Sequence, residues 1–102
     1  MAKILSKMNF GLSKKPADYL QEIAKRHKVL RKQAGFSQSE LAKRSGVSLG
    51  SLKRFETIGQ ISLESLLLLA DVLNRLDDFD AVLKPIENLE TIEKLFSDKT
   101  RG

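Results

Sequence analysis

Apolar residues recur at spacings of three and four along most of this chain, and a cap or a glycine stands where each run begins or ends. Tyr19, Leu20, Ile23, His27, Leu30 and Ala34 mark one run, which predicts a helix from about residue 16 to 34. Pro16 suits its first turn, with Ser13 upstream as a cap or part of the lead-in, and Gly35 ends it. Ser37 followed by Glu40 forms a capping box, so the next helix is expected at about 38 to 45 with Leu41 and Ala42 toward the core. Gly46 stands where that helix must stop and the chain must turn, and Ser48 caps a third helix at about 49 to 56. Ile58-Gly59-Gln60-Ile61 reads as a loop. Ser62 then caps a fourth helix from Leu63, whose buried stripe is predicted as Leu63, Leu66, Leu67, Ala70 and Leu73, with Glu64 at its positive end. Asp77 or Asp78 caps a short fifth helix through Phe79, Val82 and Leu83; Pro85 interrupts, and Asn88 starts a last helix with Leu89, Ile92, Leu95 and Phe96 apolar.

No alternating strand pattern competes with these helices, so the fold class is all-α. Helix, tight glycine turn and helix over residues 37 to 56 is the unit that presents a recognition helix to the DNA major groove. At about 100° per residue, Leu52 and Phe55 share the inner side of the second helix, with Val47 packing just before it. Leu49, Gly50, Lys53, Arg54 and Thr57 share the outer side. Ala42 is small enough to let the two helices cross closely.

Charge sharpens this picture. Residues 1 to 54 hold 13 Lys or Arg against 3 Asp or Glu, and residues 55 to 102 hold 5 against 10. A basic half that carries a helix-turn-helix suits a polyanion, because each neutralised phosphate releases condensed counterions. At 102 residues the chain makes one small domain with one core. The absence of cysteine excludes disulfides and thiolate metal sites, and His27, within the basic run Lys25-Arg26-His27-Lys28, reads as a surface residue. No metal or cofactor is expected. No apolar run approaches membrane-spanning length, and Lys7 breaks the start before any signal-peptide core forms, so a cytoplasmic location is expected. Residues 1 to 15, with Lys3, Lys7, Lys14 and Lys15, read as a flexible basic arm.

From about Val29 to Leu76 the chain resembles the Cro, lambda-repressor and Xre family of helix-turn-helix DNA-binding domains. With Gln38 as the first motif position, the family's small residue falls on Ala42, its turn glycine on Gly46 and its two anchors on Leu52 and Phe55. The resemblance implies a five-helix lambda-repressor-like bundle over residues 16 to 76, followed here by a short helical extension. It implies that Gln38 contacts a phosphate, that Ser48, Leu49, Gly50 and Arg54 contact bases, and that Arg31 pairs with Glu56. The chain departs from the well-studied repressors where Leu49 and Gly50 replace hydrogen-bonding side chains. Leucine can touch a thymine methyl and glycine reads nothing, so direct readout falls to Arg54, with Lys53 and Ser48 as helpers. DNA shape and the two-fold spacing of a dimer are the other sources of specificity.

Residues 77 to 102 are acidic, through Asp77, Asp78, Asp80, Glu87, Glu90 and Glu93, and amphipathic. Such an extension can pack on its own core, close a homodimer or dock a second protein. The layout is similar to that of HipB-type antitoxins, which repress their own operon and hold a partner toxin. The expected function is thus a sequence-specific regulator, a repressor on a palindromic operator in double-stranded DNA; the alternative is an antitoxin or adaptor that sequesters a partner through the extension. With no cysteine, one histidine amid cations and no Gly-rich phosphate loop, an enzyme is not expected.

Overall fold

The computed structural model describes residues 13–100, all helical or irregular among those described. Five α-helices follow one another: α1 Pro16–Gln33, α2 Gln38–Ser45, α3 Leu49–Ile58, α4 Leu63–Val72 and α5 Leu89–Thr100, with a 3-10 turn at Leu76–Phe79 between the last two. The basic arm expected over residues 1 to 15 lies, up to residue 12, outside the described residues.

Local chemistry sets most boundaries. Ser37 Oγ accepts from the Glu40 amide at 3.0 Å, and Glu40 Oε1 accepts from the Ser37 amide at 3.3 Å, which closes the expected capping box of α2. Ser48, Ser62 and Asn88 cap α3, α4 and α5 in the same way through the amides of Ser51, Ser65 and Thr91. At the head of α1, Ser13 belongs to the lead-in and Lys15 is the capping residue; its amide donates to Asp18 Oδ2 at 2.8 Å.

The core joins Ala24 of α1, Leu41 and Ala42 of α2, Val47, Leu52 and Phe55 of the turn and α3, and Leu69 and Leu73 at the end of α4. Helix α1 packs on α3, and α2 packs on both α3 and α4. Two expected stripes are rotated. On α1 the buried face is Ala24, His27 and Arg31, whereas Tyr19, Leu20 and Ile23 remain largely exposed. On α4 it is Leu69, Ala70 and Leu73, with Leu66 half-buried; Leu67 is only partly covered and Leu63 is 65% exposed. The run Leu66-Leu67-Leu68-Leu69 is apolar all round, so its periodicity could not choose between faces.

The short fifth helix expected through Phe79, Val82 and Leu83 is a 3-10 turn that ends at Phe79. Its hydrogen bonds span three residues, Asp78 N to Arg75 O and Asp80 N to Asp77 O, both at 3.1 Å. Asp78 does not cap it; its carboxylate is taken by Arg75 at 3.0 Å. Leu83 has φ +55° and is 95% exposed, and Pro85 disfavours helical backbone at the residue before it, so no α-helix can run through this point.

Two glycines with positive φ separate turn chemistry from packing. Gly46 has φ +81°, and a Cβ there would meet nothing within 4 Å. Gly59 has φ +78°, and its Cβ would stand 3.0 Å from the Leu20 carbonyl oxygen and 3.2 Å from Leu20 Cβ. Gly46→Ala should cost about 1 kcal/mol, the strain of a left-handed alanine. Gly59→Ala should cost about twice that or more, since α1 must also retreat. Urea unfolding of the two variants checks this, and equal losses would count against the Leu20 contact.

Candidate nucleic-acid interface

Gly46 donates its amide to Ala42 O at 3.0 Å and turns the chain, so that α3 leaves α2 with Leu52 and Phe55 directed into the core. Those two side chains are essentially fully buried, which fixes the rotation of α3 and leaves Gly50, Lys53, Arg54 and Thr57 exposed on the other side. Leu49, expected outward, is half-buried against the core. Ser48 is exposed, but its hydroxyl is engaged: the oxygen accepts from the Ser51 amide at 3.1 Å and the proton goes to Ser51 Oγ at 2.9 Å.

Arg54 does not stand alone. Gln60 Oε1, in the loop after α3, accepts from Arg54 Nε at 3.1 Å and from Nη2 at 2.6 Å. Sequence reasoning placed Gln60 in a loop without a role. The only available signal was a polar residue right after Gly59, six positions past the arginine.

Behind the face lies a buried polar network. The Glu56 side chain is 3% exposed, and its carboxylate accepts from Arg31 Nε and Nη2 at 2.9 Å each, from Gln38 Nε2 at 3.0 Å and from His27 Nδ1 at 2.7 Å. Arg31 Nη1 donates to the Phe36 carbonyl at 2.8 Å. The pair of Arg31 with Glu56 is therefore present, and it ties α1 to the end of α3. Gln38, expected on a phosphate, spends one of its amide donors on this network. His27 corrects the surface reading: it is 6% exposed, one turn before Arg31 on the same face of α1, with its ring edge-on to Phe55 at 5.0 Å.

Burial would raise the Glu56 pKa, but the hydrogen bonds from Arg31, Gln38 and His27 outweigh it and hold the carboxyl below its ordinary value of 4.5. Burial lowers the His27 pKa below 6.5 and outweighs the opposing pull of Glu56. The neutral ring thus carries its proton on Nδ1 toward Glu56, and Nε2 is buried without a hydrogen-bond partner. Both groups bind protons more readily in the unfolded chain, so folding stability should rise with pH. The His27 share is complete above pH 6.5 and declines as pH falls toward its folded value; the Glu56 share is held to about 4.5 and lost below. His27→Gln keeps a donor for Glu56 and should flatten the decline just below pH 6.5 in denaturant unfolding. An unchanged slope there would show that His27 does not cause it.

Among the described residues no helix is long and apolar enough to cross a membrane. Residues 28–79, just over half of the chain, match the family model described as helix-turn-helix. The matched stretch contains α2, the Gly46 turn, α3 and α4 whole, and ends with the 3-10 turn. No curated protein and no solved structure matches the chain.

Proposed function

The chain belongs to the Cro/C1-type, Xre-like helix-turn-helix family of DNA-binding transcription regulators, and we propose that it is a repressor that binds a palindromic operator as a homodimer. The observation that carries the reading is the two-sidedness of α3, with Leu52 and Phe55 locked in the core and Lys53, Arg54 and Thr57 exposed opposite them. Arg54 brings to that face a planar fork of donors matched to O6 and N7 of guanine. Lys53 and Thr57 flank it toward the phosphates. Gly50 leaves the helix surface open to a base edge, and Leu49 and Ser48 lie at the N-terminal end, where apolar contact with a thymine methyl is the remaining option. A carboxamide has two N–H groups; Gln38 gives one to Glu56 and keeps the other for a phosphate oxygen. The protein acts by binding and not by catalysis, in the cytoplasm, where it meets DNA.

Dimerisation is supported by apolar surface that the bundle does not use. Leu63, Leu68 and Leu76 are exposed along α4 and the turn after it, and Leu89, Leu95 and Phe96 are exposed on α5. Selection of bound duplex from a random pool tests the whole reading. It should yield two inverted half-sites whose centres lie about one helical turn apart. A pool that enriches nothing, or a lone half-site, would count against it. The antitoxin reading is favoured by the same α5, where Leu89, Leu95 and Phe96 are exposed on a helix that also carries Glu90 and Glu93; a kinase-like toxin gene beside this one would turn the assignment that way.

A further inference from the structure

We propose that Gln60 is the positioning residue of the DNA-reading face: it grips one edge of the Arg54 guanidinium and so presents the opposite end to a guanine. The proposal rests on the reading of Arg54 as the base-contacting side chain. A guanidinium carries five N–H donors in a planar fork. Gln60 Oε1 takes the Nε–H and the neighbouring Nη2–H, at 3.1 and 2.6 Å, which closes the side of the fork to any other acceptor. Three N–H groups remain, and two of them form the distal pair, one from Nη1 and one from Nη2, parallel and matched to N7 and O6 of a guanine. The amide oxygen is neutral, so Arg54 keeps its full charge for the phosphates around it. A carboxylate in the same place would hold the arginine equally well but spend that charge.

The loop that carries Gln60 is held firmly for such a task. Gly59 packs against the backbone of Leu20, where a Cβ would stand 3.0 Å from the carbonyl oxygen, and α1 ties the end of α3 through Gln21 Nε2, which donates to the Ile58 carbonyl at 3.1 Å. Ile61, on the other side of Gln60, packs against the core. The glutamine is therefore anchored to α1 and to the core through its two neighbours, as well as to α3 through the Gly59 amide on the Phe55 carbonyl at 2.8 Å, and braces a side chain that projects from α3. An unbraced arginine on an exposed helix must surrender its rotamer freedom on binding, which costs roughly three- to tenfold in affinity for the one base that demands it.

The test uses the full chain and a random duplex pool, with base preference read by sequencing the bound fraction. The variants are Arg54→Ala, Gln60→Met, which keeps length and removes the acceptor, Gln60→Glu, and the double Arg54→Ala/Gln60→Met. Arg54→Ala should erase the guanine preference at one position of each half-site. Gln60→Met should weaken preference at that same position by about three- to tenfold, with binding to unselected duplex and the urea midpoint unchanged. Gln60→Glu should restore the preference while weakening binding to every duplex, because it neutralises Arg54. The double variant should match Arg54→Ala. A Gln60→Met variant that keeps the preference overturns the positioning role alone, as does a loss that adds to that of Arg54→Ala, which would mean that Gln60 touches DNA itself. If Arg54→Ala keeps the preference, the base-reading assignment fails and takes the role of Gln60 with it.

Discussion

Glu56→Met should lower the unfolding free energy by about 3–5 kcal/mol, although the substitution adds apolar volume and removes a charge. Four donors converge on the Glu56 carboxylate: Arg31 Nε, Arg31 Nη2, Gln38 Nε2 and His27 Nδ1. Removing it strands a guanidinium whose side chain is 7% exposed, with only the Phe36 carbonyl left to it. A stranded buried charge costs far more than the net worth of the pair, because attraction within the intact pair largely offsets its own desolvation. Arg31→Met should also destabilise, since it leaves a buried carboxylate with only Gln38 and His27. The double variant Arg31→Met/Glu56→Met should recover a substantial part of the loss. A thermodynamic cycle in urea measures the coupling, and additive single effects would show that the pair contributes nothing as a pair.

Removal of residues 85 to 102 should weaken operator binding by about 10²-fold or more while leaving the bundle folded. Among the described residues the buried core comes from residues 24 to 73, with no buried residue from the 3-10 turn or α5. Helix α5 leaves Leu89 75% and Leu95 57% exposed on a surface that also carries Glu90 and Glu93. A helix with that much uncovered apolar area fits association better than solvation. If a second copy covers it, the dimer places two recognition helices on one duplex, and losing the tail turns a bivalent contact into two independent weak ones. The base contacts of each subunit should be untouched, so preference at each position should persist in the weaker complex. The cut keeps the 3-10 turn, which packs on α4. Molar mass in solution, helicity and operator affinity are compared with the full chain. Loss of helicity beyond the share of α5 would show that the tail belongs to the core. Unchanged mass and affinity would remove its role in dimerisation.

Where α2 and α3 begin and end, and where α4 and α5 begin, was legible because capping and stopping are local, whereas the short helix expected through Leu83 is a 3-10 turn that ends at Phe79. Ser37 with Glu40, Ser48, Ser62 and Asn88 satisfy amides within three residues of themselves, and Gly46 and Gly59 supply the left-handed backbone that ends α2 and α3. The turn residue and the anchors Leu52 and Phe55 followed from motif spacing, and the pairing of Arg31 with Glu56 from family resemblance alone. Of the outward set Leu49, Gly50, Lys53, Arg54 and Thr57, read from helical geometry once those anchors were known, all but the half-buried Leu49 are exposed.

The rotation of α1 and α4 was not legible, because it is settled between helices. On α1 a single acceptor, Glu56, draws His27 and Arg31 inward and leaves Tyr19 and Ile23 to solvent, so polar satisfaction outranks the apolar stripe. On α4 four consecutive leucines offered every face equally, and contact with α2 selected Leu69. The grip of Gln60 on Arg54 depends on how α1 anchors the loop, a contact between residues 39 positions apart in the chain (59 less 20) at Gly59 and Leu20. The sequence by itself thus determined the helices, their caps, the glycine turn and the outer side of α3, since hydrogen bonds to near neighbours and a 3.6-residue period decide those. Only the tertiary structure decided which faces are buried, that His27 is internal and that Arg54 is held, because each depends on where a distant donor, acceptor or backbone comes to lie.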